Sequence, residues 1–343
     1  MNPHWWMNKR VLVTGGAGFI GSNLVTRLVG EGIAVRAVDN LERGRKEYLG
    51  SALPQIDFRV QDLRSLEVCR DCCRDIDVVI HLASKVGGIR YYIEQMGSVF
   101  RENTLIDHNM WRAALDLGVP CYFYASSAHI YPRELQQSPD SPLIREEQAY
   151  PADPELSYGW AKLMGEQLLL NDVRQGCSTH VSIARIIGAY GPNQSLDLAT
   201  GSAIPVFCRR AIEYPAQGPF LVLGSGKETR SYHYVADTIE AILRSVEKLE
   251  QASVVGPFNL GAEDRVTIGQ LAQEIISISG KSIDLTWDQT HPTLIWGQAF
   301  NCGLAASVLD GWRPRVSLRD GLRGVYDHIQ CRLESTAATL NLP

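Results

Sequence analysis

Tyr158 and Lys162 are separated by Gly159-Trp160-Ala161, and on a helix that spacing brings a phenol and an ammonium to one face. A tyrosine with its ordinary pKa of ~10 is a poor base at neutral pH, but a neighbouring ammonium and a further positive charge favour the phenolate. Such a pair can take a proton from an alcohol while hydride leaves the same carbon. Upstream, Tyr124-Ala125-Ser126-Ser127-Ala128-His129-Ile130-Tyr131-Pro132 adds two more candidates. Ser127 can share a hydrogen bond with the reacting hydroxyl and hold it in line with Tyr158. His129, with an unperturbed pKa of ~6.5, suits acid–base work near neutrality; its other reading is an inert imidazole packed under the loop. Ser126 reads as a turn residue that satisfies the backbone.

Hydride chemistry needs an acceptor, and the first forty residues supply a place for one. Thr14-Gly15-Gly16-Ala17-Gly18-Phe19-Ile20-Gly21 follows an apolar run at Val11 to Val13 and opens an amphipathic stretch. Gly15, Gly18 and Gly21 permit a tight turn and a close backbone approach to a pyrophosphate, whose charge meets the N-terminus of a helix beginning near Gly18, at Phe19 and Ile20. Asp39, followed by Asn40, ends the next apolar run near the expected ~20-residue offset, where a carboxylate accepts from both ribose hydroxyls. It would repel a 2′-phosphate, which favours NAD over NADP, although Arg43 and Arg45 lie close and act against that choice.

These residues need a scaffold, and the alternation of short apolar runs with helical patterns specifies one. Runs at Val11–Thr14, Ala34–Asp39, Phe58–Val60, Val78–His81, Tyr122–Ala125 and Val181–Ile186 imply parallel strands joined by crossover helices, hence an α/β, doubly wound sheet. Ligands gather beyond the carboxyl ends of such strands, where Ser127 falls. A polar, proline-bearing loop spans Pro132 to Pro154 and a helix starts near Ser157. After Gly191-Pro192 the pattern changes to loops, a short helix around Ile204–Glu213 and a strand at Phe220–Leu223. Tyr234–Leu249 and Phe258–Leu260 read as a return to the main sheet. The expected division is an extension over 1–9, a dinucleotide-binding domain over 10–187 with about 232–261, and an interleaved C-terminal substrate lobe over 188–231 and 262–343.

Composition narrows the partners. The 343 residues carry 33 Lys and Arg against 38 Asp and Glu, a net charge of −5 with no basic block, which argues against nucleic acid or an anionic membrane surface. No apolar run reaches the ~20 residues of a membrane span, and Met1 to Arg10 lacks the apolar core of a signal peptide. Eight scattered cysteines read as reduced thiols in a cytoplasmic chain; Cys69, Cys72 and Cys73 include a CxxC spacing with no second ligand pair, so no metal site is expected. No role follows from the sequence for Trp5-Trp6.

With these motifs the chain resembles an extended short-chain dehydrogenase/reductase of the NAD-dependent sugar-nucleotide epimerase/dehydratase family, from Arg10 to about Ile329. Further matching stretches are Asp62-Leu63, His81-Leu82-Ala83-Ser84, Arg185 to Pro192, Thr229-Arg230-Ser231 with Asp237, Phe258 to Gly261, and Gly311 to Pro314. The resemblance implies a Rossmann-like sheet with a smaller substrate lobe and bound NAD. It implies adenine contacts from Asp62 and Leu63, and cofactor contacts from Leu82, Ala83, Ser84, Tyr158 and Lys162. The substrate would be a nucleotide-diphosphate sugar, held by Lys85, Gly87, Gly88 and Ser127, with Arg230 on its diphosphate, a role that suits a planar guanidinium. By the same analogy the chain pairs as a homodimer through helices near Val99–Leu117 and Tyr158–Leu170.

Within that family, Lys85-Val86-Gly87-Gly88-Ile89 and Ser126–Pro132 resemble the corresponding stretches of GDP-mannose 3,5-epimerases and GDP-fucose synthases, which leans the substrate towards GDP sugars. The expected activity is epimerisation through a transient 4-keto sugar, with inversion at C4, or at C3 or C5 with His129 moving the proton. Departures bear on that expectation. Those relatives carry cysteine at the position of His129 and a lysine or histidine near that of Ser202. Dehydratases place an acidic pair at Ala128 and His129, decarboxylases a glutamate at His129, and many relatives an asparagine at Gly188. A 4-oxidoreductase or dehydratase releasing a keto or unsaturated sugar, and an inactive nucleotide-binding scaffold, are the alternatives.

Overall fold

The computed structural model describes residues 2–290 and 295–340; of residues 89, 90 and 336–340 only the backbone is described. In chain order the first half runs α1 (Pro3–Trp6), β1 (Arg10–Thr14), α2 (Phe19–Gly30), β2 (Ala34–Asp39), β3 (Asp57–Val60), α3 (Leu66–Cys73), β4 (Val78–His81), α4 (Ile89–Glu94), α5 (Met96–Asp116), β5 (Cys121–Ser127), α6 (Ser157–Arg174) and β6 (His180–Ile186). The second half adds β7 (Ala189–Tyr190), α7 (Ala203–Glu213), β8 (Phe220–Leu223), β9 (Thr229–Arg230), β10 (His233–Tyr234), α8 (Val235–Glu247), β11 (Val254–Leu260), β12 (Val266–Thr267), α9 (Ile268–Ser279), β13 (Leu285–Asp288), β14 (Gly297–Gln298), α10 (Gly303–Val308) and α11 (Leu318–Leu340).

Seven strands form one sheet in the order β11-β6-β5-β4-β1-β2-β3, and every pairing in it is parallel. The near-continuous apolar runs in β1, β4 and β5 follow from burial on both faces. One face packs Leu24, Val25 and Leu28 of α2 and Ile239, Ile242 and Leu243 of α8 on Val11, Val13, Val78 and Phe123. The other packs Met110, Trp111, Ala113 and Ala114 of α5 and the three cysteines of α3 on Leu12, Val79, Tyr122 and Tyr124. Chain order reverses between β1 and β4, which opens a crevice at their carboxyl ends.

The strand runs read from the sequence agree with the observed strands to within one residue at most ends, and β5 extends two residues further, to Ser127. Tyr234–Leu249 returns as α8 against the sheet and Phe258–Leu260 as part of β11, paired with β6. After residue 187 a third core forms among α7, β8, α9 and α11, around Phe207, Phe220, Leu271, Ile275, Leu322 and Val325. Met1, 291–294 and 341–343, which belong to the expected extension and substrate lobe, lie outside the described residues.

The N-terminal extension has a structural place that its sequence does not disclose. Trp6 is buried among the α2 and α8 side chains, and its indole nitrogen donates to Glu247 Oε1 at 2.7 Å.

Candidate active site

A cleft of about 920 Å³ runs across the carboxyl ends of the strands. Gly15, Gly18, Phe19, Ile20, Gly21, Asp39, Asn40, Asp62, Leu63, Leu82, Ala83, Ser84, Lys85, Gly87, Gly88, Ser127, Tyr158 and Lys162 all line it. His129 and Arg230 do not. His129 packs edge-on against the Tyr158 ring, and the Arg230 charge reaches His129. A second recess of about 1080 Å³, at the amino ends of the strands beside α1, contains none of these residues.

At the nucleotide end the glycines are sterically required. Gly15 has φ +66°, and a Cβ there would lie 3.0 Å from the backbone of Ala83; at Gly21 a Cβ would lie 2.1 Å from Gly15 O. The turn therefore presses strand against helix and leaves the α2 N-terminus open. Gly18 is its N-cap, with no side-chain cap bond and no acidic residue in the first turn, so the end stays electropositive. Beyond it, Asp39 accepts from the amides of Ala17 at 3.1 Å and Leu41 at 2.8 Å. Burial raises its carboxyl above the ordinary aspartate range, against those two amides. A glycine cradle, an uncapped helix end and a carboxylate at the rim fit a dinucleotide.

At the catalytic end, Tyr158 opens α6 and is buried. Gly159 permits that placement, since a Cβ there would sit 2.0 Å from His129 O. The Tyr158 phenol is pushed up to about 12, first by burial and further by the Asp107 charge, while hydrogen bonds with Ser84 and Ser127 oppose the rise. Tyr92 of α4 stacks on its ring at 5.0 Å and 17°, and the His129 ring meets it edge-on at 5.8 Å. Burial, with Arg230, holds His129 down to about 4, so near neutrality it is an uncharged imidazole, a base and not an acid. Lys162, one helical turn beyond Tyr158, is fully buried, and its Nζ lies 3.5 Å from Asp107 Oδ1.

Several expected contacts are preoccupied. Lys85 Nζ is bonded to Glu102 at 2.7 Å, Asp62 is bonded by Arg64, and Arg230 donates to the carbonyls of Thr229 and Ile295. Ser126 is not a turn residue: it lies in β5 and donates to Glu166 Oε1 at 2.5 Å, beside the two-pronged Arg185–Glu166 pair. Gly188, at φ +54°, has room for no side chain, because a Cβ would lie 2.0 Å from Ser231 O. Cys69, Cys72 and Cys73 are packed into the sheet core, and burial raises all three thiols. Sequence reasoning missed Asp107, Asn103 and Tyr92. The available signal was Asn103 and Asp107, polar groups one turn apart on the apolar stripe of α5.

Fold and cleft together define a dinucleotide-dependent class of protein whose cleft also holds a tyrosine–lysine pair. The profile of the NAD dependent epimerase/dehydratase family matches residues 11–261, and the chain belongs to that family. It is similar to GDP-mannose 3,5-epimerase 1 of Oryza sativa subsp. indica, at 30% identity over 96% of this chain and 84% of the relative. It is also similar to UDP-glucuronic acid decarboxylase 4 of Arabidopsis thaliana, at 32% identity over 91% of this chain and 67% of the relative. Among solved structures, the Thermus thermophilus UDP-glucose 4-epimerase in complex with NAD superposes with a TM-score of 0.79 at 25% identity, covering 94% of this chain and 99% of that one. NAD is the cofactor of this family, and the cleft described above fits it. Among the described residues no helix is long and apolar enough to cross a membrane.

Proposed function

We propose that the protein is an NAD-dependent nucleotide-sugar epimerase that works through a transient 4-keto sugar. The observation that carries this reading is that Tyr158, Lys162, Ser84 and Ser127 line one cleft together, with Tyr158 and Lys162 both buried and Lys162 held by Asp107. Bound NAD supplies a hydride acceptor and donor. Tyr158 takes the proton of the C4 hydroxyl and later returns it; Ser127 holds that hydroxyl in line; Lys162 stabilises the phenolate. Around the Tyr158 ring stand Tyr92 and neutral His129. A dehydratase needs an acid to expel water, and an uncharged His129 beside Tyr158 is a poor one, which favours returning the hydrogens to the sugar.

Inversion follows either from turning the ketosugar before hydride returns to C4, or from enolisation at C3 or C5. His129 gives the second route a base, and GDP-mannose 3,5-epimerase among the relatives supports a GDP sugar. The family resemblance gives Arg230 to the diphosphate, a role that requires its guanidinium to exchange the carbonyls of Thr229 and Ile295 for phosphate oxygens. Residues 10–187 with about 232–261 hold the cofactor, and the core of α7, β8, α9 and α11 belongs to the substrate lobe. Exposed Leu105 on α5 and Trp160 and Met164 on α6 support pairing of two copies through those helices.

A panel of GDP, UDP, dTDP, CDP and ADP sugars, scored with NAD for protection against heat unfolding, identifies the substrate. Turnover of that sugar in deuterium oxide then locates the inverted carbon: ring deuterium at C3 or C5 assigns enolisation, and inversion without label assigns C4. Accumulation of a keto or unsaturated sugar overturns the epimerase reading in favour of an oxidoreductase or dehydratase. Full turnover by Tyr158→Phe removes that residue from the chemistry, and no turnover of any sugar leaves a nucleotide-binding scaffold.

A further inference from the structure

Parallel register places Thr14 of β1 beside His81 of β4, and His81 beside Tyr124 of β5. Partners in register point to the same face, so three polar side chains form a row inside an otherwise apolar layer. Asp107 of α5 lies over that row, 2% exposed.

The hydrogen bonds around it have one consistent direction. Thr14 Oγ1 accepts from the amides of Leu82 at 3.1 Å and Ala83 at 3.0 Å, so its own proton goes to His81 Nδ1 at 2.8 Å. His81 therefore carries its proton on Nε2 and donates to Asp107 Oδ1 at 3.0 Å. Tyr124 donates to Asp107 Oδ2 at 2.6 Å, and the Lys162 ammonium, seated 4.7 Å from the Tyr124 ring centre, is the third partner at 3.5 Å. Leu82 and Ala83 line the cofactor cleft, so the network runs from the cleft wall to Lys162.

We propose that Asp107 is a positioning residue for the Tyr158–Lys162 pair: it anchors the buried ammonium through a network tied to the cofactor cleft and offsets the charge that Lys162 presents to Tyr158. The inference rests on the reading above, in which Tyr158 exchanges the proton. A buried ammonium without a counter-charge is costly, and a carboxylate with two neutral donors in fixed geometry can supply that charge without moving. The groups facing Asp107 are Thr14 through His81, His81 itself, Tyr122 and Tyr124 from the sheet, Lys162 and Tyr158 from α6, and Asn103 one turn away on α5. Those acting on Tyr158 are Asp107, Ser84, Ser127, Tyr92 and His129. Burial works to raise the Asp107 carboxyl, but Lys162, His81 and Tyr124 outweigh it and hold the group ionised.

The test is a charge cycle read on the phenol itself. The NAD-loaded protein is labelled with ring-13C tyrosine, the Tyr158 resonance is assigned by its loss in Tyr158→Phe, and its titration midpoint is followed in three variants. Asp107→Asn leaves Lys162 an unopposed cation, and the midpoint moves down by about one pH unit. Lys162→Met leaves the carboxylate unopposed, and the midpoint moves up. The double variant carries neither charge, which also relieves the folding cost of an unpaired ion, and its midpoint returns towards wild type. An Asp107→Asn midpoint that stays put or rises overturns the proposal, as does a double variant that merely sums to the Lys162→Met value. None of these readings requires a sugar to turn over, so the inference stands or falls apart from the choice of substrate and product. With a substrate in hand, the acid limb of kcat in Asp107→Asn moves to lower pH in parallel.

Discussion

Asp39 and Asp107 are both buried carboxylates near the carboxyl edge of one sheet, and they are held in opposite ways. Asp39, at the nucleotide end, is bonded among the described residues by the amides of Ala17 and Leu41 and faces an open cleft; burial dominates and its carboxyl is raised. Asp107, at the catalytic end, is enclosed by an imidazole, a phenol and an ammonium, which together outweigh its burial and lower its carboxyl. The first keeps acceptor capacity unspent at the wall of the cleft. The second has spent its capacity on the protein. The difference separates a carboxylate poised to bind from one that organises its neighbours.

Breaking the catalytic end has the largest expected effect. Tyr158→Phe removes the proton carrier while leaving its ring stack with Tyr92, so turnover falls by ~10²–10⁴-fold while NAD binding and the melting temperature hold. Stopped-flow and calorimetric measurements on the same preparation check both halves. At the nucleotide end, Gly21→Ala drives a methyl into Gly15 O, costs roughly 1–3 kcal/mol of stability and weakens NAD binding, as thermal unfolding with and without NAD will show.

A milder contrast comes from pH alone. The raised Asp39 carboxyl takes up a proton above the ordinary aspartate range, so NAD affinity, full at neutrality, falls by about tenfold as the pH drops through that raised value; titration calorimetry over an acid pH series reads it. In unfolding equilibria the two groups act with opposite sign. Asp107 contributes stability above the ordinary aspartate pKa that is lost as the pH falls through its lower folded value, whereas protonating Asp39 relieves a cost of burial. Smallest of all, Ser126→Ala leaves Glu166 short of one donor and lowers stability by about 1 kcal/mol in denaturant titrations, with NAD affinity unchanged.

The nucleotide end was legible in the sequence because its determinants are local. Gly15 to Gly21 and Asp39 belong to one strand–turn–helix–strand unit, where chain spacing dictates position. Tyr158 and Lys162 were legible for the same reason, sharing one helix. Asp107 was not, because its partners come from β4, β5 and α6, with Thr14 of β1 behind His81, and meet only in the folded chain. Ser126 was misread as a turn residue because β5 runs two residues beyond its apolar run, and its partner Glu166 lies 40 positions on. Trp6 joins the core through Glu247, across 241 positions. His129 and Arg230 were found as residue types, but their electrostatic neighbourhood, which makes His129 a neutral base, is a property of the folded chain.

The central claim is that Tyr158 takes the hydroxyl proton from a nucleotide-sugar carbinol whose carbon-bound hydride NAD would accept, and that both hydrogens return to the sugar in each turnover. Rapid mixing of the NAD-loaded enzyme with the sugar identified by thermal protection tests it most directly, following reduced-cofactor absorbance and the product together. The account predicts a transient that rises and decays in every turnover, yields an isomer of the starting sugar, and vanishes in Tyr158→Phe. A net build-up of reduced cofactor, or an unchanged transient in that variant, would contradict it.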